Sequence, residues 1–265
     1  MDRNATAPPA RRIALLLEYD GTAYRGSQHQ ENGPSIQQEL ESAIKRLTGT
    51  PTRASLAGRT DAGVHAVGQV AAFDVASRLA PAEFVPALNH FLPDDIAVRA
   101  AADAPPGFDP RRHARSRAYR YRIHNRPVRS PLERHRAWHV PKPLDVTAMQ
   151  RAARRLEGAH DFAAFAGPYD GSTLRTLARC DVTACGRRIA VVMEAEAFLP
   201  HQVRRTVGPL VEIGLGRATE EQLLDLLDRA VPSSANPAAP ACGLYLLRVR
   251  YDGLEFRPHD QNGQD

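Results

Sequence analysis

Lysine is nearly absent: of the 35 basic residues, only Lys45 and Lys142 are not arginine. Cysteine is scarce as well, and Cys180, Cys185 and Cys242 form an odd, scattered set without CxxC spacing. That excludes a disulfide framework and a structural zinc site and leaves reduced thiols. No apolar run approaches the roughly 20 residues that cross a bilayer. Ile13 to Leu17 is too short for a signal-peptide core, so a cytoplasmic location with no membrane partner is expected. There is no GxGxxG, no Walker loop, no HExxH, and no HxE with PCxxC. Nucleotide cofactors and catalytic zinc therefore have no foothold, and neither cofactor nor metal is expected.

What the chain does hold is ordinary globular material: 265 residues, 43% apolar and 25% charged, enough for one large domain or two modest ones with a real core. The net charge is +5 and the pI near 9.4, carried by a side chain whose planar fork suits phosphate. GC-rich coding also enriches arginine, alanine and proline together, but these arginines are not evenly spread. From Arg111 to Arg136 stand ten arginines and three histidines, with Glu133 the only acid. Such a block repels itself unless an anion neutralises it, which makes nucleic acid the leading partner and a solvated face the alternative.

Residues 1–10 and 254–265 read as mobile polar tails. Between them, strand-like and helix-like segments alternate in an order that approximately repeats, giving one lobe over 11–110 and another over 111–253. In the first, "RRIALLLEYDGT" reads as a strand with a following Asp-Gly turn. In "SIQQELESAIKRLTG", Ser35 and Gln38 have capping-box spacing, Ile36, Leu40, Ile44 and Leu47 share a helical face, and Gly49 closes the end. Strands near "TRASLAG" and "GQVAAFDV" follow. The second half opens with the strand "RAYRYRIHN", then a helix capped by Asp145 with Ala148, Ala152 and Leu156 on one face. Strands near "ARCDVTAC" and "RIAVVMEAEAF", helices in "HQVRRTVGPLVEIG" and from Thr219, and a last strand "GLYLLRVRYDG" complete it, with "VPSSANPAAPACG" as a surface connection. Without strict βαβ regularity this is α+β, with two similar lobes and a mostly antiparallel sheet.

Three stretches carry candidate chemistry. In "AGRTDAG" an aspartate among turn formers either bonds its own backbone or, with glycines letting a polyanion approach, projects Asp61 into a cleft. Asp20 competes for that role, but its Asp-Gly pair after a strand fits a hairpin turn better. In "RAYRYRI", alternation puts Tyr119, Tyr121 and Ile123 on one face and Arg120, Arg122 and His124 on the other. The tyrosines are either core residues or platforms that stack on bases beside phosphate-binding arginines. His201 and Arg204 in "LPHQVRR" lie about one helical turn apart, and Arg204 can pair with a carboxylate, structurally or otherwise.

"GRTDAGVHAVGQVAAFD" resembles the signature of the tRNA pseudouridine synthase A family, with that signature's aspartate at Asp61. The resemblance runs from Ile13 to Tyr251, since "EYDGTAYRG", "LNHFLPDDIAV", "RAYRYRI", "LEGAHDFAAF", "HQVRRTVGPLVEIG" and "GLYLLRV" occur in the family's order. It implies the pseudouridine synthase fold, two α/β lobes sharing a continuous sheet with a positively charged cleft between them, and a homodimer in which one tRNA reaches both subunits. The implied reaction detaches uracil from its ribose at N1 and rejoins it through C5, in the anticodon stem-loop at tRNA positions 38 to 40. The resemblance assigns the nucleophile or base to Asp61, the ring against the target base to Tyr119, and the aspartate's cationic partner to Arg204. Arg59 helps displace the base, Leu244 lines the pocket, and Phe108, Arg111, Arg112 and the loop around Ser172 meet tRNA. This chain departs from the family's pattern at Ser27, where a tryptophan is frequent, at Asp109 in "FDPRR" in place of "FHAR", and at Pro200, which stands where a histidine is frequent.

The chemistry suits these residues. Isomerising uridine consumes no electrons, phosphate or water overall, so it requires no cofactor. It does require a carboxylate that stays ionised in a dry pocket, where burial alone neutralises it and a guanidinium holds the charge. Two rivals remain: a non-catalytic tRNA-binding or folding protein, which the arginine block supports equally, and a hydrolase with an aspartate nucleophile, which needs a second acid or base that is not evident.

Overall fold

The computed structural model of the chain describes residues 8–256, so most of each expected tail lies outside the described residues. The chain divides into two compact units, one formed by residues up to Arg115 together with those from Val249 onward, the other by Ser116–Arg248.

In the first unit β1 (Arg11–Tyr19) lies between β3 (His65–Val75) and β4 (Ile96–Ala104), antiparallel to both, and β2 (Ser55–Leu56) pairs antiparallel with β3. Ile13, Ala14 and Leu15 are all fully buried, as befits a central strand covered on both faces. On one face Phe73 stands edge-on to Phe84 of α2 (Pro81–Asn89) at 6.0 Å. On the other, Ala14 and Ala72 pack with Phe108 and Leu254, flanked by Tyr251 and Phe256. Within the expected tail from residue 254, Leu254 is buried in this core, its apolar side chain packed with Ala14, Ala72 and Phe108. Helix α1 (Ile36–Thr48) begins at Ser35, whose hydroxyl accepts from the Gln38 amide at 3.3 Å, and ends at Gly49 in the left-handed region (φ 74°), as the spacing requires.

The second unit holds β5 (Ser116–Asn125), β6 (Trp138–Val140), α3 (Val146–Arg154), β7 (Gly158–Asp161), β8 (Leu174–Cys185), β9 (Arg188–Ala195), α4 (Gln202–Gly214), α5 (Glu220–Arg229) and β10 (Leu244–Arg250), whose last two residues belong to the first unit. The strand order is β10-β5-β9-β8-β7, with β6 parallel to β5 and the β5–β9, β8–β9 and β7–β8 pairs antiparallel. β8 and β9 form a hairpin closed by Gly186, at φ 58°, and Arg187. Asp145 caps α3 through the Ala148 amide at 2.9 Å, and Thr219 and Gln222 form the capping box of α5. The buried face of α3 runs through Met149, Ala152 and Ala153 rather than Ala148. The mixed α+β class with a mostly antiparallel sheet is what forms, and all three cysteines are free.

Several elements escape the sequence patterns. Helix α2, whose pattern is interrupted by Pro86, and the short β6 and β7 carry little periodic signal; β4 alternates only weakly because five of its nine residues are alanine. The Asp20-Gly21 pair makes no hairpin. Asp20 accepts from the Thr22 amide and hydroxyl at 3.0 and 2.5 Å and caps a 3-10 turn over 21–23. Gly21 is needed there for space, since a Cβ would stand 1.9 Å from the Val64 carbonyl oxygen.

Candidate active site

Residues 57–64 connect β2 to β3 and carry Arg59 and Asp61. The backbone of this loop is held by buried side chains. Fully buried Gln69, from β3, donates through Nε2 to the Gly58 carbonyl at 2.8 Å and accepts through Oε1 from the Gly58 amide at 3.2 Å. Its Nε2 also reaches the Tyr19 hydroxyl at 3.3 Å, which shares a hydrogen bond with Thr60 Oγ1 at 2.9 Å. From the opposite side, fully buried Ser27 accepts the Thr60 amide on Oγ at 2.9 Å and donates its own amide to the Thr60 carbonyl at 3.0 Å. Gly26, at φ 106°, allows this approach, because a Cβ would lie 2.7 Å from the Thr60 oxygen. Burial pushes the Tyr19 phenol up, so it serves as a neutral hydrogen-bonding group. Between these anchors Arg59 is exposed and Asp61 half-buried, and the Val64 amide closes the turn on the Asp61 carbonyl at 3.1 Å. Asp20, the competing acid, bonds its own backbone through the Thr22 amide.

In the second unit Tyr119 is 7% exposed and edge-on to Phe198, ring centroids 5.0 Å apart. Tyr121 is fully buried and donates to the Pro240 carbonyl at 2.6 Å, with burial pushing its phenol up. Leu244 opens β10 and is buried. Arg204, half-buried in the first turn of α4, donates through Nε to the Ala239 carbonyl at 2.7 Å. Arg205 donates to the Ser233 and Ala235 carbonyls at 2.9 and 3.2 Å. Thus "VPSSANPAAPACG" is more than the expected surface connection: Ala235 and Ala239 are fully buried, and the segment braces the arginines of α4. His201 is not on the helix beside Arg204 but precedes it in the left-handed region (φ 62°), with its ring over Gly167, where a Cβ would lie 3.0 Å from Nδ1. Pro200 contributes its carbonyl, which accepts from the Gly167 amide at 2.7 Å, a bond any residue type makes.

The arginine block resolves into distinct roles. Arg117 is buried and donates to the Glu196 carbonyl at 2.6 Å, and Arg120 and Arg122 stand over the Tyr245 ring at 5.7 and 5.4 Å. Glu133 lies 3.5 Å from Arg122 and 3.4 Å from Arg188 beside a cavity of about 360 Å³. Arg111, Arg112, Arg129, Arg134 and Arg136 are exposed. Phe108, by contrast, is 6% exposed and edge-on to Tyr251 at 5.1 Å, so it anchors the segment that displays Arg111 and Arg112. Asp109 accepts the Arg111 and Arg112 amides at 2.8 and 3.0 Å; burial raises its pKa, but these bonds outweigh burial and hold the carboxyl below its ordinary value. Ser172 is exposed, and its carbonyl accepts from Arg175 at 2.8 Å.

The first unit thus carries Arg59, Asp61, Phe108, Arg111 and Arg112, and the second Tyr119, Ser172, Arg204 and Leu244. Sequence patterns missed Thr60, Gln69 and Ala239 and marked Ser27 only as a departure from the family's pattern; a visible signal for Gln69 was a lone amide inside an apolar strand. Among the described residues, no group of three or more His, Cys, Asp and Glu side chains is placed to hold a metal ion, and no helix is long and apolar enough to cross a membrane.

A family model described as tRNA pseudouridine synthase matches residues 15–111 and 152–252, which include every site residue named above except Arg112 and Tyr119. The tRNA pseudouridine synthase A of Pelobacter propionicus is 47% identical over 243 residues, covering 91% of this chain and 100% of that protein. Its counterpart in Geobacter sulfurreducens is 45% identical over 243 residues, with the same coverage. That of Myxococcus xanthus is 46% identical over 252 residues, covering 93% of this chain and 94% of that protein. With a match over most of both units and this degree of identity along nearly the whole length, the chain belongs to the tRNA pseudouridine synthase A family.

Proposed function

We propose that this protein isomerises uridine to pseudouridine in tRNA, acting on positions 38 to 40 of the anticodon stem-loop as a cytoplasmic homodimer. The observation that carries the reading is the family match, which includes Asp61 on a loop fixed through its backbone while the flanking Arg59 is displayed at the surface. Asp61 is the group that attacks the ribose or takes a proton from it. The N1 bond to the ribose breaks, the base turns, C5 bonds to C1′, and the C5 proton leaves as N1 regains one. No atom is gained or lost.

A carboxylate in a water-poor site needs a nearby cation to stay ionised, the role the resemblance gives to Arg204. The target base starts stacked in RNA, and extruding it costs a few kcal/mol. Arg59 takes the vacated space, and Tyr119 stacks on the uracil, worth about 1 to 3 kcal/mol. The exposed arginines from Arg111 to Arg136, with the loop around Ser172, hold phosphates independently of sequence.

The test is Asp61→Asn. Tritium release from tRNA labelled at uridine C5 should vanish while tRNA binding stays within a few-fold of wild type. Normal release by the variant would refute the role of Asp61; binding of tRNA without any release by the wild-type protein would establish the non-catalytic alternative.

A further inference from the structure

We infer that Ser27 is a positioning residue for the reaction, acting on Asp61 through the backbone of Thr60; this rests on the function proposed above. Ser27 is completely buried, so it meets no RNA itself. Its amide and hydroxyl take both backbone groups of Thr60, at 3.0 and 2.9 Å, which fixes the peptide immediately preceding Asp61. The hydroxyl also lies 3.5 Å from the Gly58 carbonyl, which Gln69 already grips at 2.8 Å. The Tyr19 hydroxyl completes the frame at Thr60 Oγ1, 2.9 Å away. Both neighbours of Arg59 are therefore pinned, and a loop that must present an acid while Arg59 enters RNA keeps its backbone still. An aromatic side chain at position 27 cannot accept the Thr60 amide, so in this chain the small hydroxyl does that work.

The experiment compares wild type with Ser27→Ala, and Thr60→Val with Thr60→Ser, in single-turnover tritium release, tRNA affinity and amide hydrogen exchange at Thr60. Ser27→Ala should lower the turnover rate roughly ten- to a hundredfold, the scale of a small misplacement of a reacting group. tRNA affinity should stay within threefold, and Thr60 exchange should accelerate. Thr60→Val, which keeps the shape but loses the hydroxyl bond to Tyr19, should also slow turnover, and Thr60→Ser should restore it. If Ser27→Ala does not fold, the Thr60 pair decides alone. Wild-type turnover in folded Ser27→Ala, or in Thr60→Val, overturns the inference, as does a loss of rate that follows weakened tRNA binding. No release by the wild-type enzyme sinks the proposed function instead, a result the exchange measurement tells apart.

Discussion

Arg204 and Ala239 exchange two hydrogen bonds: the guanidinium Nε donates to the Ala239 carbonyl at 2.7 Å, and the Ala239 amide donates to the Arg204 carbonyl at 2.9 Å. The side chain of Arg204 is thereby aimed by an irregular segment 35 residues away in sequence, and that segment is seated against α4 at Gly208.

Gly208→Ala should disturb this arrangement. Its Cβ would stand 1.5 Å from the Pro237 carbonyl oxygen, a backbone atom that cannot move alone. Destabilisation of about 1 to 3 kcal/mol is expected, visible as a drop of several degrees in Tm, with turnover falling further than stability predicts. Calorimetry and tritium release on the same preparation check both.

Tyr119→Phe keeps the ring against Phe198 and removes only the hydroxyl. If that hydroxyl moves a proton, turnover should fall by about a hundredfold or more with tRNA affinity unchanged. Unchanged turnover would leave Tyr119 as a stacking platform alone.

Affinity for tRNA should fall steeply with salt, because exposed arginines release counterions from phosphates. Replacing Arg111 and Arg112 by glutamine should weaken binding and flatten the slope of log affinity against log salt. Filter binding across a salt series measures it, and an identical slope would remove these two residues from the interface.

His124 is buried, and neither ring nitrogen has a hydrogen-bond partner among the described residues. Burial, then the Arg126 charge, pushes its pKa below the ordinary 6.5, so the folded state favours the neutral ring. The unfolded chain thus binds the proton more readily. Stability from this residue is complete above about pH 6.5 and is lost as pH falls from there through the lower folded-state value. Urea unfolding at pH 7.5 and 5.0 should show a larger loss for wild type than for His124→Asn, and direct NMR titration of the ring should give a midpoint below 6.5.

Local signals announced most of the elements. Ser35, Asp145 and Thr219 cap helices because their side-chain oxygens reach an amide three residues on, a bond that needs no tertiary partner. The alternation in β5 correctly buried Tyr119 and Tyr121. Phe108 shows the limit: the resemblance gives it a place in a segment that meets tRNA, and only the folded chain shows that its ring fills a core face completed by Leu254, 146 positions later. The Pro- and Ala-rich stretch after Val231 reads as a loose connection because its burial depends on what α4 offers, which composition does not carry.

By itself, the sequence determined the class of fold, the family and the place of Asp61 in that family's signature, since these depend on residue type, spacing and motif order. Tertiary structure alone decided that Ser27, Gln69 and Tyr19 grip the loop around Arg59, and that Ala239 aims Arg204. Apart from the pair of hydroxyls of Tyr19 and Thr60, those contacts join backbone groups to side chains 11 to 35 positions away, and a backbone group has no residue identity to betray its partner.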